Sequence, residues 1–396
     1  MLRSALTLAV LLTACGDDKD NTITTDDTDV ATTEGTGSTE TDTDTDTDTD
    51  TDSDTDTDTD TDTDSDTDTD TDTDTATDTA ADTGTTGGTT TPELGVVRFV
   101  AMGDGGEGND DQYAVSDAIE AICASKADDD GDGCHFALYL GDNFYDEGVD
   151  GVDDEQFVSK FEAPYANLDF PFYIALGNHD YGGCIFGECG AGYDFEKGEY
   201  YVEYSDYSDK WTMPNEYYTF VMEHVQFFGL DTNAIMWDPW LSTATLQPGW
   251  LQEELDASTA DWKVAYGHHP YISNGRHGNA GEYEGLDWLD WLGVLAEVPI
   301  GTRVKEVMDD NLCGQVDLYI SGHDHNRQWL EPTCGTEFMV MGAAAKTTDL
   351  EDRGNPTFFE DDQEEGFVWI EIRGDELVGE IYNKSGELDY SQTLTR

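Results

Sequence analysis

Five short polar clusters each follow an apolar run in this chain. Asp104 closes "RFVAMGD". Asp142 and Tyr145 lie in "LGDNFYD", Asn178 and His179 in "LGNHD", His268 and His269 in "YGHHP", and His323 and His325 in "SGHDHN". Carboxylate and imidazole donors together suit first-row transition metals, whereas magnesium or calcium would call for oxygen alone. Two carboxylates with three or more imidazoles exceed what one ion needs. The economical reading is a pair of ions sharing a bridging carboxylate, the spacing of such pairs being ~3.5–4 Å. In an extended Gly-His-Asp-His-Asn, residues 323 and 325 point to the same side, so each imidazole could reach a different ion. Tyr145 adds a hard phenolate donor, which favours Fe(III) over softer ions. Taken singly, Gly-Asp after a strand is ordinarily a turn, and Asn-His-Asp a loop with side chain–backbone bonds. The ordered set of five carries the inference. His135 and His224 lie outside such positions and read as structural or surface residues.

The elements that must hold these residues are legible around them. Apolar strands are expected within 94–106, 136–146, 171–180, 225–230, 262–270 and 316–326, each of the five chemical clusters following one of them. Between them, Ala114, Val115, Ala118, Ile119 and Ile122 recur at helical spacing, as do Leu246, Trp250, Leu251 and Leu255, and later Val304, Val307, Met308 and Leu312. Residues 217–232 read as a hairpin, and the tail 367–387 alternates like antiparallel strands joined by Gly-Asp and Lys-Ser-Gly turns. Strands alternating with helices and ending in hairpins define an α/β domain with at least one mixed sheet. The carboxyl ends of strands are where such sheets bind ligands.

The rest of the 396 residues divides unevenly. Residues 1–14 form a short secretory leader with one Arg and an apolar run too short for a permanent span. "LTAC" resembles a lipobox, which would place lipid on Cys15 and anchor an exported protein at a bacterial envelope. An ordinary signal peptide with an incidental Cys is the alternative. Residues 15–92 form a tether dominated by Thr-Asp dipeptides from Thr41 to Asp74, interrupted by Ser53 and Ser65. Such a segment has nothing to bury and repels itself. The catalytic candidates all fall in 93–396, which still holds 62 acidic side chains against 15 basic ones. So negative a domain will not bind nucleic acid through its phosphates, and it repels small phosphate anions unless salt or local positive charge intervenes. Six Cys remain beyond Cys15. Among 15 connectivities, order along the chain suggests Cys123–Cys134, Cys184–Cys189 and Cys313–Cys334. Asp128, Asp130, Asp132 and Gly133 match positions one, three, five and six of a calcium loop, but position twelve falls on Tyr139, where a bidentate Glu is needed.

The motifs "GDG", "GDNFYD", "GNHD", "GHHP" and "GHDHN", in this order, resemble the calcineurin-like metallophosphoesterases, and more narrowly the purple acid phosphatases of the tartrate-resistant type. The likeness spans essentially all of 94–396. It implies a metallophosphoesterase-type four-layer sandwich, two mixed β-sheets flanked by helices. It also implies phosphomonoester hydrolysis at a dinuclear centre of Fe(III) and a divalent ion (Fe, Zn or Mn), with metal-bound hydroxide as nucleophile. By the resemblance, Asp104, Tyr145 and His325 would bind the ferric ion, Asp142 would bridge, and Asn178, His268 and His323 would hold the divalent ion. His179 and His277 would face the substrate, His277 being otherwise a surface loop residue; His269 has no assigned role. Gly105 departs from the family, which often has an aromatic residue there, and this would loosen the first metal's surroundings. The Tyr-rich segment 180–209 would be a lid or specificity loop, or an ornament pinned by its Cys pair. A small phosphoester is the expected partner, and the chain is expected to be monomeric. The competing readings are a phosphodiesterase or nucleotide hydrolase on the same fold, and a catalytically silent, cation-binding surface lipoprotein.

Overall fold

The structure, a computed structural model, describes residues 95–129, 131–184, 189–237, 246–283 and 301–396. The leader, Cys15 and the Thr-Asp tether lie outside the described residues, as does Asp130. Two seven-stranded mixed sheets make up the domain. In the first, β1 (Val96–Met102), β2 (Phe136–Leu140), β3 (Phe172–Ala175) and β4 (Trp211–Thr212) run parallel. In the second, β5 (Tyr218–Met222) and β6 (Val225–Gly229) form the expected hairpin, and β6, β7 (Trp262–Tyr266) and β8 (Leu318–Ser321) run parallel. The strands β9 (Arg327–Thr333), β10 (Thr336–Met341) and β11 (Thr357–Asp361) complete the second sheet in the order β11-β9-β10-β8-β7-β6-β5. The closing strands β12 (Gly366–Arg373), β13 (Glu376–Asn383) and β14 (Leu388–Thr395) complete the first, as β14-β13-β12-β1-β2-β3-β4.

The parallel strands are buried on both faces, which is why "FALYL" and "LYIS" are continuous apolar runs and do not alternate. From Asp389 onward the outer strand β14 alternates between exposed and half-buried residues, as a strand covered on one face should. Helix α1 (Asp110–Lys126) fits the expected spacing; Asn109 caps it by accepting from Gln112 N at 2.9 Å, and Asp110 and Asp111 meet the positive end of its dipole. The helices α2 (Asn178–Tyr181), α3 (Gln247–Ala257) and α4 (Thr302–Val307) follow in order. The two sheets meet through aromatic rings. Phe99 of β1 stacks on Phe136 of β2 at 5.2 Å, and both meet Phe227 of β6 edge-on at 5.3 and 5.1 Å.

The three disulfides suggested by chain order are formed: Cys123–Cys134, Cys184–Cys189 and Cys313–Cys334. The calcium expectation at Asp128, Asp130 and Asp132 loses its first ligand. Both Asp128 oxygens are taken by the buried Arg98 guanidinium, at 2.6 and 3.0 Å, and Arg98 also pairs with Glu371 at 2.7 Å. Position twelve, Tyr139, is fully buried within β2.

A second buried guanidinium ties the two sheets together. Arg327, at the start of β9, reaches Asp361 at 2.6 Å in its own sheet and Asp389 at 2.6 Å in β14 of the other. The carboxylates keep about a quarter of their exposure, 27% and 28%, while the arginine has 1%. Arg327→Met removes a charge that two carboxylates were arranged to meet. It is expected to cost on the order of 3 kcal/mol, seen as a lower urea midpoint with an unchanged slope.

Candidate metal centre

The clusters sit just past the carboxyl ends of β1, β2, β3, β7 and β8, so both sheets contribute. Each turn there is tight. Asp104, Asp142 and His323 adopt left-handed backbone conformations, with φ of 61°, 51° and 70°. Such residues cost on the order of 1–3 kcal/mol each and persist where the surroundings hold them. The neighbouring glycines are required by close approach. A Cβ on Gly177 would strike Asp142 Oδ1, and one on Gly322 would strike Asp104 Oδ2.

Within this frame the donors converge on two points. Tyr145 OH lies 2.9 Å from Asp104 Oδ1, 3.0 Å from Asp142 Oδ2 and 3.1 Å from His325 Nε2. His268 Nε2 lies 3.3 Å from Asp142 Oδ2, 3.1 Å from Asn178 Oδ1 and 3.0 Å from His323 Nδ1. Asp104, Asp142 and His325 form one group of donors able to hold an ion; Asp142, His268 and His323 form another. One oxygen, Asp142 Oδ2, belongs to both. Its partner Oδ1 is fixed by the His179 N–H at 2.9 Å, and Asp104 Oδ2 by the His323 N–H at 2.9 Å. His268 donates Nδ1–H to the Leu140 carbonyl at 2.9 Å, which leaves Nε2 free to act as a donor atom. The residues therefore fit a pair of first-row ions: nitrogen and oxygen donors, all buried, sharing one carboxylate oxygen, with the imidazole tautomer set from outside.

The electrostatics suit cations. Burial opposes charge on His268, but the Asp142 and Asp104 carboxylates outweigh it and raise the imidazole to about 9. Burial likewise works against the Asp142 carboxylate, yet the charges of His268 and His179 hold it well below the usual range. His323 goes the other way: burial, and then the surrounding histidines, keep it neutral.

The remaining expected residues gather at the same place. His179 donates Nδ1–H to the Asp146 carbonyl at 2.6 Å and lies 4.4 Å, ring to ring, from Tyr145. His277 is no detached surface residue, for its ring lies 4.1 Å from that of His323. His269 packs 4.5 Å from His323 and bonds Thr232 through Nδ1 at 2.9 Å. The described part of the 180–209 segment reaches the site through Gly190, which accepts from Asn178 Nδ2 at 2.8 Å and where a Cβ would strike the His179 ring. Glu147 abuts the Cys184–Cys189 disulfide, whose sulfurs offer no thiolate to a metal.

Two expectations need correction. Gly105 does not loosen the site, because the Tyr139 and Tyr165 hydroxyls, 3.3 Å apart, occupy the space a side chain there would take. Residues 322–326 are not extended either. Asp324 N bonds Gly322 O at 2.9 Å and Asn326 N bonds Asp324 O at 2.7 Å, so two successive tight turns send His323 and His325 to separate donor groups.

Other participants escape a search for ligands. Asp180 accepts from Asn143 N at 2.8 Å, Asn143 Nδ2 at 2.7 Å, Phe144 N at 3.2 Å and Gly177 N at 2.8 Å, lashing the turn after β2 to that after β3. Its place inside "GNHD" was the available signal. Lys346 holds its ammonium 3.2 Å from the Tyr145 ring centre and pairs with Glu107 at 2.9 Å. Nothing in "GAAAKTT" announces that.

This fold, with buried donors collected at the strand ends of both sheets, is that of a metallophosphoesterase. Residues 97–327 match the calcineurin-like phosphoesterase family, and the chain belongs to it. It is similar to tartrate-resistant acid phosphatase type 5 of Rattus norvegicus, 25% identical over 77% of this chain and 92% of the relative, and to that of Homo sapiens, 26% identical over the same shares. Purple acid phosphatase 7 of Arabidopsis thaliana is 26% identical over 64% of this chain and 71% of its own. Among solved structures, GAP50, "the anchor in the inner membrane complex of Plasmodium", shares the fold with a TM-score of 0.58 at 20% identity, covering 76% of this chain and 89% of its own. A purple acid phosphatase from yellow lupin seeds does so at 0.54 and 18%, covering 77% and 54%. The chain is a metal-dependent phosphatase.

The raised His268 sets a pH dependence that can be measured. In chelator-stripped protein its folded value, about 9, exceeds the unfolded value of about 6.5. Its contribution to stability is therefore complete below about pH 6.5 and is lost as pH rises through about 9. Stripped protein should melt progressively lower across that window. Zinc affinity should rise over the same window, since binding must expel the proton. Isothermal titration in buffers of different ionisation enthalpy reads that proton release. Uptake without release at pH 7 contradicts the assignment.

Proposed function

We propose that this chain hydrolyses phosphomonoesters at a dinuclear centre of Fe(III) and a divalent ion. The observation that carries the reading is Asp142 Oδ2, shared by two donor groups that differ in chemistry. One includes a phenol, two carboxylates and an imidazole; the other is richer in imidazole. Asp104, Tyr145 and His325 would take the ferric ion, with Asn178, His268 and His323 taking the divalent one (Fe, Zn or Mn) and Asp142 bridging. Two ions there would neutralise phosphoryl oxygens and make a bound water acidic enough to serve as nucleophile.

The chain's own residues do the rest. His179, held by the Asp146 carbonyl through Nδ1, faces the substrate and can pass a proton to the leaving oxygen. His277, beside His323, is suited to steady a phosphoryl oxygen. Gly190, in the described part of the 180–209 segment, lies against Asn178 and His179 and would limit water around them. The partner is a small phosphoester, and the domain's acidity argues against nucleic acid. Three disulfides support a place outside the cytoplasm, with Cys15 as the proposed lipid anchor and residues 15–92 as the tether.

The purified chain should show a broad visible band from tyrosinate bound to ferric iron, and Tyr145→Phe should abolish it. A colourless wild type with only zinc or manganese sinks the iron assignment. His179→Ala should lower kcat on para-nitrophenyl phosphate by about 10²–10⁴-fold while metal analysis still finds two ions per chain. Faster hydrolysis of a bis-para-nitrophenyl diester than of the monoester would instead select a phosphodiesterase.

A further inference from the structure

Asp324 stands between the two imidazoles of "GHDHN" yet faces away from both donor groups. Its side chain is wholly buried and accepts its bonds from the loop that carries His277. Oδ1 accepts the His277 N–H at 2.7 Å, while Oδ2 accepts the Ser273 hydroxyl at 2.5 Å and the Gly278 N–H at 3.4 Å. Gly275 lacks a side chain where one would strike the Asp324 carboxylate. Across the same turn, His323 and His277 lie ring to ring.

We propose that Asp324 is a positioning residue, one that fixes the substrate-facing His277 to the turn that carries His323 and His325. The inference rests on the phosphatase reading and deepens it. The two successive tight turns at 322–326 are what make the arrangement work. They direct His323 and His325 inward and leave the intervening carboxylate facing the opposite way, where three donors of one loop converge on it. A carboxylate that accepts several bonds from a loop sets that loop's place more rigidly than packing alone, and outer residues of this kind typically govern activity by about 10–100-fold. The place of His277 is thereby tied to the same backbone that places the metal-binding imidazoles, and a shift in one would be carried to the other.

The test is a double-mutant cycle on the full chain, with para-nitrophenyl phosphate as probe and metal content measured in every variant. Asp324→Asn keeps the volume but puts an N–H where an acceptor was. It should lower kcat by about 10–100-fold with KM unmoved and two ions retained. In a His277→Ala background the same change should cost no more than about twofold, because its effect runs through the missing imidazole. Ser273→Ala removes one of the three bonds to Asp324, along with those the Ser273 hydroxyl accepts from Gly275 N and Gln328 Nε2, and it should repeat the pattern with a smaller loss even where Asp324→Asn fails to fold. Equal losses on both backgrounds, or loss of metal in the Ser273→Ala variant, would overturn the inference while leaving the phosphatase reading in place. A wild-type chain that binds two ions and hydrolyses neither mono- nor diester overturns both.

Discussion

A single carboxylate oxygen, Asp142 Oδ2, faces two groups of donors at once, and the surrounding structure is arranged to keep it there. The left-handed turn at Asp142 aims the side chain, Gly177 makes room for it, and the His179 N–H holds its other oxygen. Asp180 then lashes that turn to the next, so the turns after β2 and β3 are joined through one carboxylate. Burial would ordinarily neutralise such a carboxyl. The opposing imidazoles prevent it, and the site is polarised toward cations before any substrate arrives.

Much of this could be read from the chain. The apolar runs ending in Gly gave the strand ends, and residue types at those ends gave the donors, because parallel strands in such sheets all deliver their carboxyl ends to one side. Asp104, Asp142, Tyr145, Asn178, His268, His323 and His325 are all brought together. What stayed hidden has a common cause. The order of strands in the two sheets, the inversion of backbone at His323, and the arrival of Lys346 over Tyr145 all depend on contacts between distant segments. Periodicity reports local pattern and is silent on those. Asp180 and Asp324 were visible as letters within motifs, but a search for metal donors passes over carboxylates whose partners are backbone N–H groups.

The fold is less informative than the site. GAP50 shares it and is described as an anchor, whereas the mammalian and plant relatives are named as phosphatases. What separates such cases is whether the donors are present and converge. The acidity of the domain bears on the same point, since 62 acidic side chains against 15 basic ones make a poor surface for an anion. The few cations at the site are correspondingly prominent. Lys346 and the His268 imidazolium both stand beside carboxylates, where their charge acts over a short range that salt screens least.

The covalent cross-links and the donor groups distribute their work differently. The disulfides close intervals of 11, 5 and 21 residues, so each braces its own neighbourhood. The donors, by contrast, come from β1, β2 and β3 on one side and from β7 and β8 on the other. An ion held there would act as a rivet through the seam between the sheets, joining segments more than 200 positions apart, as the Asp104–His323 bond already does. Free energy gained in holding that ion is then free energy of keeping the sheets together. Metal supply would decide how long the scaffold survives as well as whether it turns over substrate.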